Sequence, residues 1–405
     1  MDSTKKNSVD NAMNGYRKED AEEIQIPMPW GQICGKWWGP TDEQPIVAIH
    51  GWQDNSGSFD NLAQLLPSNV AILSIDLPGH GFSSHLSDGQ FYYVFWDGVI
   101  ILRRIIKYYK WNKINSNLKL IVGLLPAGKW WGPKELQPIV ALHGRQDNAG
   151  TFETLMPLMS DDVSVLCLDM PGHGLSSHYP KYQFYYVYYD GVIFLRKVIK
   201  YFKWDKVKLL GHSLGGAISF LYAASYPDEV DALISLDIAS PSVRDITRTA
   251  ALTGDYIDKF LKYELLTMDN APCYGYDEMI DIVEKAYEGS ITREGAEILM
   301  KRGMQPTYTK GKYYFSRDPK LKVSILGMFS LDLVLEYASR IKCAYLNIRA
   351  VPGMKFEQPE NYQKVLDNIK LGARKFEYHE VKGTHHVHLS EPEKIAPIIM
   401  NFLQN

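Results

Sequence analysis

Short apolar runs, each closed by a glycine, an aspartate or a Pro-Gly pair, alternate along this chain with longer stretches whose apolar residues recur every three or four positions. The first pattern predicts buried strands and the second amphipathic helices. LQPIVALHG predicts a strand and the turn after it. DVSVLCLDMPGHG predicts another, ended by a Pro-Gly turn. Between them TFETLMPLM carries Phe152, Leu155 and Leu158 at helical spacing. FYYVYYDGVIFLRKVIKYFKW is long and striped enough for a helix. KVKLL predicts a third strand, GHSLGG a turn, and AISFLYAASYP a helix stopped at Pro227. VDALISLDIASP, KCAYLNIRA and FEYHEVKG supply three more strands. Strands alternating with helices predict an α/β fold, a mostly parallel sheet with helices on both faces.

The pattern changes between residues 242 and 340. ALTGDYIDKFLKYEL, YDEMIDIVEKAYEG and TREGAEILMKRG predict separate amphipathic helices, and TYTKGKYYFSRD a hairpin. No parallel strand interrupts them. This stretch reads as a helical cap over one end of the sheet.

The chain also repeats itself. GKWWGP occurs at residues 35–40 and again at 128–133, an offset of 93. At that offset residues 35–114 align without a gap on 128–207, and 47 of the 80 positions are identical. One long repeat is not a solenoid, whose periods run at roughly 20–50 residues. It reads as a tandem duplication of part of one domain. The first copy is preceded by EIQIPMPWGQIC, which predicts two short strands about a Pro-rich turn, but it never reaches a GHSLGG motif. The second copy runs straight into that motif but lacks the opening strands, and only LKLIVGLL is placed to substitute. The expected organisation is a disordered tail (1–22), a duplicated half-core without a nucleophile (23–117), a core (118–241 and 341–405) and the cap (242–340). The second copy, contiguous with GHSLGG, is expected to build the main sheet, because its loop closure is shorter.

Composition narrows the classes. A formal charge of −3 gives no basic surface for nucleic acid or an anionic membrane. The apolar stretches are broken by charge before the ~18 residues a span requires. The four cysteines, Cys34, Cys167, Cys273 and Cys343, form no CxxC pair, so neither a zinc framework nor a disulfide framework is indicated. The polar N-terminus has no apolar signal core, NFLQN at the other end matches no peroxisomal tag, and a cytoplasmic location is the default. No cofactor motif is present. The expected partner is a small molecule, with the oligomeric state left open.

The chemistry gathers at Gly211-His212-Ser213-Leu214-Gly215, a G-x-S-x-G between a predicted strand and a predicted helix. A turn this tight projects the serine hydroxyl above the sheet, and the flanking glycines let strand and helix backbones approach. The blander reading is a Gly-rich turn without chemistry. With His143-Gly144, Asp169-Met170-Pro171-Gly172-His173-Gly174, GHSLGG and GTHHVHLSEPE in this order, the chain resembles the α/β-hydrolase family. PWGQICGKWWGP, HGRQDNAGTF, YYFSRDP and NIRA…GTHHVH look closer still to its serine hydrolase-like (kraken-like) subgroup, known for orphan substrates.

The resemblance implies Ser213 as nucleophile. It implies His385 as general base, with His386 the alternative one residue off. It implies an oxyanion hole from the backbone N–H groups of Leu214 and Arg145, the latter matched by Trp52 in the first copy. A metal reading of His385, His386 and His388 is set aside, because no carboxylate or cysteine is spaced around them. The acid is ambiguous. Many members carry an Asp after the strand that here reads YLNIRA, but this chain continues Val351-Pro352-Gly353. Asp237, after VDALISL, is preferred. Glu357 is the alternative, and a triad without an acid is the third reading. Asp169 to Gly174 reads as a structural turn. Two functions remain: a serine hydrolase of a small acyl ester working through an acyl-enzyme, or a catalytically weak or inactive binder of small molecules on the same fold.

Overall fold

The computed structural model describes residues 21–41, 45–50, 54–85, 127–178, 188–266, 270–307, 309–323, 328–353 and 358–404, with positions 101, 104, 105 and 108 of one helix. LKLIVGLL, Trp52 and Glu357 lie outside these residues. The chain divides into two compact units, Met1–Gly123 with Pro180–Phe184, and Leu124–Tyr179 with Tyr185–Asn405.

In the first unit the opening forms a hairpin, β1 (Glu22–Met28) with β2 (Gly31–Trp38), turned at Pro29 and Trp30. β3 (Ile46–Ile49), the short helix α1 (Asp60–Gln64) and β4 (Ile72–Ile75) come next. The strands make a four-stranded sheet in the order β1-β2-β4-β3, with β3 and β4 parallel. Trp38, Ala63 and Ile72 close a small core.

The second unit holds a seven-stranded sheet. β5 (Ala127–Trp131), β6 (Ile139–Leu142) and β7 (Val165–Asp169) come from the second copy of the repeat. After helix α2 (Tyr188–Phe202) come β8 (Val207–His212), helix α3 (Leu214–Ser225) and β9 (Val230–Leu236). With β12 (Ala344–Pro352) and β13 (Lys375–Gly383) from the end of the chain, the sheet order is β13-β12-β9-β8-β6-β7-β5, with only β5 antiparallel. β6 and β7 are buried at every position, which explains their unbroken apolar runs. α3 is buried from Gly215 to Ala224 and ends beside Pro227, which cannot continue the ladder. TFETLMPLM departs from its spacing: it forms two 3₁₀ turns, Ala149–Phe152 and Met156–Leu158, with Pro157 in the second. Phe152 and Leu155 reach the core from two short turns while Leu158 is exposed, and Pro157 removes an N–H a continuous helix would need.

The cap consists of α4 (Ile246–Glu264), α5 (Tyr276–Ala286), α6 (Arg293–Gly303), a hairpin of β10 (Met304–Pro306) with β11 (Tyr313–Phe315), and α7 (Leu331–Ser339). The hairpin starts upstream of the expected stretch, because Met304–Pro306 supplies its first strand. Ile280, Val283, Ala296, Leu299 and Met300 pack with Leu389, so the cap shares a cluster with the loop after the last strand. The core closes with β12 (Ala344–Pro352), α8 (Pro359–Gly372), β13 (Lys375–Gly383), α9 (Val387–Ser390) and α10 (Ala396–Gln404). Among the described residues no helix is long and apolar enough to cross a membrane.

Candidate active site

β8 delivers Ser213 to the end of the sheet, with φ +50° and ψ −117°. L-residues rarely adopt this conformation, and the surroundings must impose it. They do so by backbone crowding. A Cβ on Gly211 would lie 2.4 Å from Gly216 Cα, and one on Gly215 would lie 2.1 Å from the Leu142 carbonyl oxygen. Only glycine fits at either position. The Ser213 N–H donates to Leu236 C=O at 3.2 Å, pinning the turn to β9. Ser213 is 9% exposed, whereas His212 before it is fully buried. The turn presents one polar side chain and hides the other.

The loop after β6 packs against this turn. A Cβ on Gly144 would stand 3.4 Å from Ser213 Cβ and 2.9 Å from His212 Nδ1, so the backbone at Gly144 and Arg145 lies beside the nucleophile turn. The Arg145 guanidinium donates through Nε and Nη2 to Leu321 C=O, at 3.2 and 3.0 Å, tying this loop to the cap. Leu214 opens α3, where backbone N–H groups are unpaired within the helix.

The structure brings Asp237 and His385 together. His385 Nδ1 donates to Asp237 Oδ2 at 2.6 Å, and both side chains are 5% exposed. Asp237 sits in the left-handed region, φ +51°, directly after β9. Its N–H donates to Ile348 C=O at 2.8 Å, and its Oδ1 accepts the Ala350 N–H at 2.9 Å. Asn347 Nδ2 donates to Ile238 C=O at 2.8 Å and so braces the turn from β12. Residues 351–353, where a carboxylate is commoner in the family pattern, include no acid. Asp237 reaches the same imidazole from the neighbouring strand. Burial lowers the pKa of His385, and Asp237 partly restores it.

The other histidines have separate partners. His386 Nδ1 bonds Ser290 Oγ at 2.7 Å, and His388 Nε2 bonds Thr151 Oγ1 at 2.8 Å. His212 Nε2 donates to His385 C=O at 2.9 Å, linking the residue before the serine to the loop of the base.

The Asp169 turn is structural. Asp169 Oδ1 accepts the Ala149 N–H at 2.8 Å and Oδ2 the Leu175 N–H at 2.9 Å. Arg302 from α6 closes the pair at 2.6 Å, which joins cap to core over a fully buried carboxylate. The sequence reading missed both Arg302 and Asp147. Asp147 was visible in HGRQDN, but nothing in that spacing shows that it turns toward His212 and His386.

A fold of parallel strands carrying a strained serine between β8 and α3, with a buried Asp–His pair from β9 and the loop after β13, defines an α/β hydrolase. The α/β hydrolase fold model matches residues 137–262. A probable serine hydrolase of Drosophila melanogaster is 51% identical over 276 residues, covering 68% of this chain and 83% of that protein. Serine hydrolase-like protein 2 of Homo sapiens is 30% identical over 310 residues, covering 71% of this chain and 94% of that one. Among solved structures, a hypothetical protein of Pseudomonas aeruginosa PAO1 superposes with a TM-score of 0.61 at 25% identity, covering 71% of this chain and 98% of that one. The thioesterase domain from the curacin biosynthetic pathway gives 0.57 at 20% identity, covering 72% of this chain and 100% of that domain, a likeness of fold alone. The chain belongs to the α/β-hydrolase family and, within it, is similar to the serine hydrolase-like proteins.

Proposed function

We propose that this chain is a serine hydrolase of a small carboxylic ester, working through an acyl-enzyme. The observation that carries the reading is the 2.6 Å hydrogen bond from His385 Nδ1 to Asp237, on a base loop bonded to the nucleophile turn. That bond fixes the tautomer with the proton on Nδ1 and leaves the Nε2 lone pair to act as base. Ser213 Oγ attacks the ester carbonyl carbon as its proton passes to His385 Nε2. The carbonyl oxygen becomes an oxyanion, held by the N–H groups of Leu214 and Arg145. The tetrahedral intermediate collapses, the C–O bond to the alcohol breaks, and His385 returns the proton to the leaving oxygen. Water then attacks the acyl carbon and gives a proton to His385; the bond from the acyl carbon to Ser213 Oγ breaks, His385 returns that proton to Oγ, and the carboxylic acid leaves.

The side chain of Arg145, engaged with Leu321, is not needed for this role, which uses its backbone only. The placement of Asp237 beside His385 supports the hydrolase reading over the binder, which the missing acid after Ala350 and the duplicated half-core would favour. Hydrolysis of a p-nitrophenyl ester by the full chain, compared with Ser213→Ala, tests the proposal. The expected loss is at least about 10³-fold in kcat/KM. Equal rates would leave a small-molecule binder in place of an enzyme.

A further inference from the structure

Behind the Asp–His pair lies a second group of buried polar side chains. Asp147, His212 and His386 are 2%, 0% and 3% exposed. Asp147 Oδ2 and His212 Nδ1 face each other at 4.0 Å, and neither atom has a hydrogen-bond partner among the described residues. His386 Nε2 stands 3.7 Å from the same carboxylate oxygen. The three ligand atoms lie within 4.8 Å of one another. From these atoms we infer that Asp147, His212 and His386 form a binding site for a divalent transition-metal ion of the Zn²⁺ class.

The hydrogen bonds around the group set its polarity. His212 Nε2–H is committed to His385 C=O, so the bare lone pair of Nδ1 points at Asp147. Two buried acceptors therefore face each other with no hydrogen bond to either among the described residues; the buried Arg317 guanidinium acts on Asp147 through its charge but leaves both atoms unbonded, and a metal ion would bond both. His386 Nδ1 is held by Ser290 Oγ, which leaves Nε2 for the group. Asp147 Oδ1 accepts the Asn148 N–H at 2.9 Å, which orients Oδ2. Each prospective ligand thus has an outer partner fixing its orientation, as metal-bound histidines do. Two imidazoles and one carboxylate match zinc in donor type and leave a fourth position open.

Tetrahedral coordination at about 2.0–2.1 Å sets donor atoms roughly 3.3 Å apart. The 3.7 and 4.0 Å separations to Asp147 Oδ2 must therefore close by well under an ångström on loading, and the two imidazole nitrogens, within 4.8 Å of each other, by up to about 1.5 Å. That closure has a direction. His212 precedes Ser213 and His386 comes after His385, so the ion pulls on the nucleophile turn and the base loop together. Loading is expected to inhibit turnover reversibly. Tyr287 packs T-shaped against His386, ring centroids 4.9 Å apart.

The test uses the full chain, stripped with a chelator, incubated overnight with Zn²⁺ and desalted, with bound metal measured by elemental mass spectrometry. Co²⁺ in place of Zn²⁺ gives an independent readout, the intense visible bands of a tetrahedral ion. Neither depends on the hydrolase reading. One ion per chain is expected, with affinity reduced at least about 10-fold in Asp147→Asn and in His386→Gln, and unchanged in His379→Gln on the surface. Either of the first two variants suffices if the other fails to fold. No retained ion, or an ion held equally by Asp147→Asn and His386→Gln, overturns the site.

Discussion

Asp237 uses both of its oxygens. One accepts the Ala350 N–H and the other the His385 Nδ1–H, which fixes the carboxylate between two strands and leaves the imidazole one useful tautomer. Asp237→Asn keeps the shape but offers an amide that can turn its NH₂ toward Nδ1. That favours the tautomer with Nε2 protonated, which cannot accept the serine proton. The expected fall in kcat is about 10³- to 10⁴-fold, with KM little changed. The pH profile gives a second reading of the same residue. Burial holds His385 below its usual value of 6.5, and Asp237 opposes that shift. The acidic limb of kcat/KM therefore lies below pH 6.5 in the native chain, since the base must be neutral to act. Asp237→Asn removes the opposing charge and moves the limb to still lower pH. A limb that moves upward in the variant contradicts the assignment.

At the scale of elements, α3 is packed backbone to backbone against β8 at Gly211 and against β6 at Leu142. Gly215→Ala forces a methyl against the Leu142 carbonyl, with backbone on both sides and nothing able to yield. It is expected to cost about 3 kcal/mol or more and to abolish turnover. Gly254→Ala, in exposed α4 with no heavy atom within 4 Å of the added carbon, is expected to stabilise by about 0.5–1 kcal/mol. Urea midpoints of the two variants check this pair, and equal shifts would show that the crowding is not as described.

The same elements show what could be read from sequence. The nucleophile turn was legible because its chemistry is local: strand, glycines, serine and helix adjoin in the chain. The separate helices between residues 242 and 340 were legible from the change of periodicity. The choice between Asp237 and Glu357 was not, because it depends on which strand end faces His385, a contact between residues 148 positions apart. Asp147 stayed hidden for the same reason, its histidine partners lying on two other elements. TFETLMPLM misled because apolar spacing cannot distinguish one α-helix from two 3₁₀ turns around a proline.

At the scale of the whole molecule, the two copies of the repeat fold alike. Gly35, Lys36, Trp37 and Trp38 pair with Ile75, Ser74, Leu73 and Ile72. Gly128, Lys129, Trp130 and Trp131 pair with Leu168, Cys167, Leu166 and Val165, the same register at the 93-residue offset. His50 Nε2 accepts the Leu77 N–H at 3.0 Å as His143 Nε2 accepts the Met170 N–H at 2.9 Å. Asp76 accepts the Ser56 and Phe82 N–H groups as Asp169 accepts those of Ala149 and Leu175. The copies differ in their continuation, since only the second leads into the serine turn. Deleting residues 35–127 joins Cys34 to Gly128, so that the opening hairpin runs into β5 in the register β2 already uses. The shortened chain is expected to be soluble and to keep its turnover within about 3-fold, because the residues of the site all lie in the second unit. An insoluble or inactive product would show that the first copy is required.

The central claim is that Ser213 is an activated nucleophile. Labelling the purified full chain with a fluorophosphonate probe, and locating the modified peptide by mass spectrometry, tests it most directly. The account predicts a single adduct on Ser213 that disappears in Ser213→Ala and is strongly reduced in His385→Ala. A folded chain that takes no label, or takes it on another residue, contradicts it.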